Sequence, residues 1–283
     1  MKYYCFGNIY IAIKTREIVR EKSAKMEQFS LKSIDNMNGS IMTIYVNCVN
    51  ELKMPTNRYD IKNGNCIIWI SPNIRAYIEK NEIYAVFYPQ SEQHYILEIQ
   101  ENFYHCITTE RQLLNHLSLE NIFLENNAFV LHSSFIKYQG NGLLFFAPSG
   151  TGKSTQADLW RQYAGAEIIN GDRSLIRYES AKWTAYGLPF SGTSDYCKND
   201  SAPIKGIIYL SQASENKLEN LSPATAIRKL YSEITVNSWN AKFIEKIFSL
   251  LEILVKDIPV YSFACKKSET AVTYLKSQLF DNN

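Results

Sequence analysis

The eighteen residues from Leu143 to Trp160, LLFFAPSGTGKSTQADLW, constrain the fold more than any other stretch of the chain. The apolar run Leu143–Ala147 reads as a buried strand, the small residues after it turn, and a helix restarts from Ser154 to about Arg161. Within the turn, Ala147-Pro148-Ser149-Gly150-Thr151-Gly152-Lys153-Ser154 follows the spacing of a phosphate-binding loop, with alanine at the usual first glycine. Gly150 and Gly152 permit backbone conformations that aim several N–H groups at phosphate oxygens. The helix that follows adds the positive end of its dipole. Lys153 can reach the β- and γ-phosphates, and the Ser154 hydroxyl can ligate Mg²⁺. A Gly-rich strand-to-helix turn without a ligand would need neither, so Ser149, Gly150, Thr151, Gly152, Lys153, Ser154 and Thr155 are expected to bind a nucleotide.

The rest of the chain narrows the setting. A formal charge of +2 over 283 residues gives no basic footprint, which argues against a nucleic-acid partner. The six cysteines are scattered, with no CxxC pair, so the expectation is reduced cytosolic thiols rather than a zinc site or a disulfide framework. No run approaches the roughly 18 apolar residues that a membrane span requires. The opening MKYYCFGNIYIAIKTR lacks a long apolar region and a small-residue cleavage site, so the expectation is a cytoplasmic protein without a membrane partner.

Residues 1–108 are rich in short β-branched and aromatic runs, among them YYCFGNIYIAIKT, SIMTIYVNCV, NCIIWIS, IYAVFYP and HYILEIQ, separated by turn-prone pieces. They predict a small antiparallel, mainly β domain that carries no catalytic constellation. From Glu110, ERQLLNHLSLENIFLENN spaces its leucines as one helix bridging two units. Residues 109–283 then alternate apolar strands with helical segments, the mark of an α/β domain with covered sheet faces. Ser222-Pro223 reads as an N-cap with proline in the first turn, and Ala241 to Lys256 as a long amphipathic helix.

A carboxylate should face the loop from the next strand. Asp172, nineteen residues after Lys153 in AEIINGDRSLIRY, stands where a helix and a return strand would bring it. It can ligate Mg²⁺, accept a proton, or do both, although Asn-Gly-Asp is also plain turn chemistry. Arg173 can hold phosphate or simply sit in an exposed loop. His132, on the strand before the loop strand, is on spacing alone as well explained by packing as by catalysis.

The segment from His132 to about Ala213 resembles the C-terminal catalytic domain of HPr kinase/phosphorylase, P-loop enzymes that phosphorylate a serine and share their fold with phosphoenolpyruvate carboxykinase. The resemblance rests on His132 fifteen residues before Ala147, on Asp172 at the second place of an Asp-Asp pair, and on Lys198-Asn199 where the family has Arg-Asn. It implies roles in catalysis for His132, Lys153, Asp172 and Lys198, with Ser154 and Asp172 on the metal. Gly171 replaces the first aspartate of the pair, and Thr155 stands where those kinases carry glutamate. The chain looks closer still to stand-alone kinases of this type associated with ribosomally made, modified peptides. The implied activity is transfer of a phosphoryl group from ATP, with Mg²⁺, to a serine of a peptide or small protein. A small-molecule kinase and a non-catalytic ATP-gated module are the alternatives. The related kinases form rings, which leaves a homo-oligomer open, and the polar stretch Gly187–Asp200 suits a substrate loop.

Overall fold

The computed structural model describes residues 1–15, 23–34, 41–54, 61–63, 67–71, 73–192 and 194–281. It is a mixed α/β protein with two large sheets and a few helices. It divides into two compact units, Met1–Glu125 with Val236–Ile244 and Asn126–Thr235 with Glu245–Asn283.

In the first unit the strands are β1 (Lys2–Phe6), β2 (Ile9–Thr15), β3 (Ser30–Leu31), β4 (Ile41–Val49), β5 (Ile61–Asn63), β6 (Ile67–Ser71), β7 (Ile74–Glu79), β8 (Glu82–Ser91) and β9 (His94–Gln100). Short helix α1 (Ala24–Glu27) lies between β2 and β3. Among the described residues the strands form one sheet in the order β3-β1-β2-β4-β9-β8-β7-β6-β5. The period-two pattern of β4 shows why: Met42, Ile44 and Val46 are buried while Thr43 and Tyr45 stand half-exposed. The sheet is not purely antiparallel as the runs predicted, because β2 pairs with β4 and β4 with β9 in parallel. Glu98 is buried on β9 and is satisfied by the Lys53 backbone N–H at 3.0 Å and the Tyr88 hydroxyl at 3.1 Å.

The single helix expected after Glu110 is two, α2 (Glu110–Asn115) and α3 (Leu119–Glu125), preceded by a 3₁₀ helix Glu101–Ile107. A capping box opens α2: Gln112 N–H donates to Thr109 Oγ1 at 3.1 Å, and Thr109 N–H to Gln112 Oε1 at 3.0 Å. The break falls at Ser118, whose φ of +42° lies in the left-handed region. Both helices belong to the first unit, so its edge falls after Glu125 rather than at residue 108. Their partners explain this. Glu110 accepts from Lys2 Nζ at 2.9 Å and Tyr4 Oη at 3.1 Å, Arg75 pairs with Glu120, and Phe123 meets Phe6 edge-on.

In the second unit, β10 (Ala128–Tyr138) pairs antiparallel with β11 (Asn141–Phe146), β12 (Glu167–Asn170) and β13 (Arg173–Glu179). The chain continues through β14 (Lys182–Gly187) into β15 (Ser201–Gln212), which turns from β14 to run parallel to β11, closing a ring of strands. β17 (Val260–Cys265) lies parallel to β15 and takes β16 (Lys217–Asn220) on its far edge. Helices α4 (Lys153–Ala164) and α7 (Glu269–Phe280) cover this parallel part, with Trp160 fully buried among Phe145, Tyr138 and Phe280. Helices α5 (Pro223–Glu233) and α6 (Ala241–Asp257) complete the order, and α5 has the proline of its first turn where the sequence placed it. No described helix is long and apolar enough to cross a membrane.

One buried histidine makes the first unit pH-sensitive. His116 lies between the Tyr84 hydroxyl at 2.7 Å and the Gln112 carbonyl at 2.6 Å, and burial pushes its imidazole down to about 4. On acidification the unfolded chain takes up this proton first, so stability present above about pH 6.5 is lost as pH falls toward about 4. His116→Gln should flatten that slope, removing a pH-dependent loss of up to roughly 3 kcal/mol. Denaturant titrations of both proteins at pH 7 and pH 4.5 measure the difference.

Candidate functional site

The carboxyl ends of the three parallel strands β11, β15 and β17 meet at one edge of the second unit, the place where open α/β sheets bind ligands. Residues Leu143 to Ala147 are all buried, so the chain leaves the core only at Pro148 and must turn at once. It does so with Gly150 at φ +82° and Gly152 at φ +119°, conformations that an L side chain rarely adopts, although a Cβ at either would meet nothing beyond its chain neighbours within 4 Å. The Thr151 hydroxyl closes the turn on the Pro148 carbonyl at 2.8 Å. Gly152 is the N-cap of α4 and offers no side chain to its first N–H groups, which stay available to an anion.

Lys153 is buried, its Nζ donating to the Ala147 carbonyl at 2.7 Å across the mouth of the loop. Burial pulls its pKa down, and the nearby carboxylates of Glu233 and Asp172 pull it back up. Ser149 and Ser154 are exposed and Thr155 is half-buried beside them. A cleft of about 430 Å³ opens here, floored by Gly150–Gly152 and Gln156 and walled by Leu210–Gln212 and Cys265–Lys267. Lys266 and Lys267 line it, two cations that follow directly on the last strand and that sequence reasoning passed over.

The acidic corner is organised by Asn170. Its buried Oδ1 accepts the backbone N–H groups of Asp172 and Arg173, both at 2.8 Å. Its Nδ2 donates to the carbonyls of Leu188 at 2.7 Å and Phe190 at 3.2 Å. Every capacity of this amide is spent on holding the NGDR turn against the segment that follows β14. Strand pairing adds the histidine, since His132 lies opposite Arg173 and Ser133 N–H donates to the Asp172 carbonyl at 2.9 Å.

His132 is bracketed by two carboxylates, with Nε2 3.2 Å from Asp172 Oδ1 and Nδ1 3.3 Å from Glu233 Oε2. Glu233 ends α5, and the chain just after it is fastened to β10 by the Ile234–Leu131 bridge and by Thr235 N–H on the Val130 carbonyl at 3.0 Å. The hydrogen bond to His132, with the electrostatic effect of His132 and Arg173, holds the Asp172 carboxyl below its usual range against the opposing effect of burial. Asp172 is therefore ionised at neutral pH. The structure sets His132 between Asp172 and Glu233 and Arg173 Nε 3.4 Å from Asp172 Oδ2, with the two carboxylates acting electrostatically on Lys153.

Lys198 is not gathered with them. It pairs with Glu167 at the opposite end of four-residue β12 from the Asp172 turn, about 10 Å along the strand. Its backbone N–H, not its ammonium, serves the corner, by bonding the Ile169 carbonyl at 2.9 Å.

Gly171 also has a local explanation. A Cβ built there would lie 2.1 Å from Ser194 Oγ, so the space an aspartate would need belongs to the loop after Phe190. In the same loop Gly192 approaches the Asp172 carboxylate so closely that a Cβ would stand 2.8 Å from Cγ. The donors on offer to a metal, the Ser154 hydroxyl and the Asp172 carboxylate, are hard oxygens of the kind Mg²⁺ prefers.

Asn170→Ala should strand two part-buried N–H groups and two carbonyls at once, costing on the order of 3 kcal/mol. Chemical denaturation of the variant beside the wild type reads that loss.

A family described as SynChlorMet cassette protein ScmC matches residues 112–269. No curated protein matches the sequence. Among solved structures, the HPr(Ser) kinase/phosphatase from Coxiella burnetii is similar over 54% of this chain and 94% of its own, at 10% identity and a TM-score of 0.32. The family match spans more than half of the chain and takes in the P-loop, His132, Asp172, Glu233 and Lys266: the chain belongs to the SynChlorMet cassette protein ScmC family.

Proposed function

We propose that the protein is a kinase that transfers the γ-phosphoryl group of ATP to a serine hydroxyl, on a fold of the HPr kinase and phosphoenolpyruvate carboxykinase type. The observation that carries this reading is the convergence of a P-loop lysine with an ionised aspartate paired to a histidine. A loop that only bound nucleotide would have no use for that second group. The cassette-protein family and the resemblance to peptide-associated kinases make a precursor peptide or small protein the favoured acceptor, in the cytoplasm.

In this mechanism the backbone of Gly150–Ser154 and the Lys153 ammonium hold the triphosphate. Ser154 and Asp172 would hold Mg²⁺, which when bound neutralises phosphate charge. The attacking serine oxygen forms its bond to phosphorus as the bond to the ADP oxygen breaks, and the hydroxyl proton passes to Asp172. A weakly basic carboxylate suffices, because phosphoryl transfer runs through a loose transition state and needs little proton removal beforehand. His132 orients the Asp172 carboxylate, and Glu233 in turn holds the ring. Positioning and charge neutralisation supply most of the acceleration.

One observation favours a second reading, an ATP-gated binding module: the approach of Gly192 to Asp172 and the filling of the Gly171 side-chain position by Ser194 narrow the acceptor side. Incubation of serine-containing peptides encoded beside the gene with protein, ATP and Mg²⁺ separates the two. Mass spectrometry should show one added phosphate, with the rate falling at least about 100-fold in both Lys153→Ala and Asp172→Asn. ATP binding without transfer to any peptide or metabolite would establish the gated module instead.

A further inference from the structure

Three potential metal ligands converge in the first unit, independent of the kinase reading. Glu79 ends β7, and His105 and Cys106 lie in the 3₁₀ helix Glu101–Ile107. His105 Nε2 is 3.6 Å from Cys106 Sγ and 3.7 Å from Glu79 Oε2, and Cys106 Sγ donates to Glu79 Oε2 at 2.7 Å. Tetrahedral zinc with ordinary bond lengths spaces thiolate, imidazole and carboxylate donors about 3.4–3.6 Å apart. Two of the three separations are already near that spacing. The third is short because the thiol proton bridges sulfur and oxygen, and loss of that proton to solvent lets the pair open around a cation.

A second observation points the same way. His105 Nδ1 lies 3.1 Å from the Asn102 carbonyl, a contact that fixes the proton on Nδ1 and leaves the Nε2 lone pair facing Cys106 and Glu79. Metal-binding histidines are commonly oriented by such a carbonyl. The Phe103 ring stacks on the imidazole at 6.1 Å and steadies it further. His105 is largely exposed, so a fourth coordination position would face water or an incoming ligand.

We propose that Glu79, His105 and Cys106 form a binding site for a zinc-like divalent transition metal, with one position open. Soft and borderline donors of this kind select such ions over Mg²⁺ or Ca²⁺, which take oxygen. Binding is written as exchange: the cation gains a thiolate, an imidazole and a carboxylate oxygen, and the thiol proton goes to solvent.

The test is titration of the whole protein with Co²⁺, followed by Zn²⁺ displacement, under reducing conditions. One equivalent of Co²⁺ should give a thiolate-to-metal charge-transfer band and tetrahedral ligand-field bands, which Zn²⁺ abolishes. Cys106→Ser should lose the charge-transfer band, and His105→Ala should weaken binding at least about tenfold. Cys48→Ser, distant in sequence, should bind as the wild type does. A charge-transfer band that survives Cys106→Ser, or the absence of stoichiometric binding by folded wild type, would overturn the assignment. Circular dichroism of each variant separates loss of a ligand from loss of folding.

Discussion

The buried side-chain amide of Asn170 is the hinge on which the site turns. It makes four hydrogen bonds, two into the NGDR turn and two into the chain after β14. A buried amide with all its capacity used is strongly directional, because any shift leaves polar groups unpaired in a low-dielectric interior. The aspartate, the histidine opposite it and the loop over them inherit their positions from that geometry. A turn held this way presents a carboxylate rigidly, which a phosphoryl transfer governed by positioning requires.

Strand β10 supplies the other half of the arrangement. Its first residues pair with β13 and its last with β11 and β12, so one strand carries His132 to the acidic turn and supports the strand that feeds the P-loop. The bridge from Leu131 to Ile234 brings the end of α5, and with it Glu233, to the same histidine. Lys153 bonds the loop carbonyl of Ala147, and the carboxylates of Glu233 and Asp172 act on its ammonium electrostatically.

What could be read in the sequence follows the range of the contacts. The P-loop was legible because strand, glycines, lysine and helix lie within eighteen residues, and local sterics dictate their order. The pairing of Asp172 with His132 lies between elements that flank that turn, each one element away from it. Glu233 was not legible, since its place depends on where α5 stops and how the next residues pair, sixty-one residues beyond Asp172. The pairing of Lys198 with Glu167 was likewise out of reach, since it joins residues thirty-one apart. The parallel pairings of β2, β4 and β9 leave no local signature. The break at Ser118 is invisible to helical periodicity, which Leu113, Leu117, Ile122 and Leu124 continue across it.

The central claim is that the P-loop and the Asp172 corner are one site acting on one triphosphate. A crystal structure with Mg²⁺ and a non-hydrolysable ATP analogue tests it most directly. The account predicts phosphates along Gly150–Ser154, the γ-phosphoryl group between Lys153 and Asp172, and the metal on Ser154 and Asp172. A nucleotide seated elsewhere, or a γ-phosphoryl group turned away from Asp172 with the metal held by other residues, would contradict it.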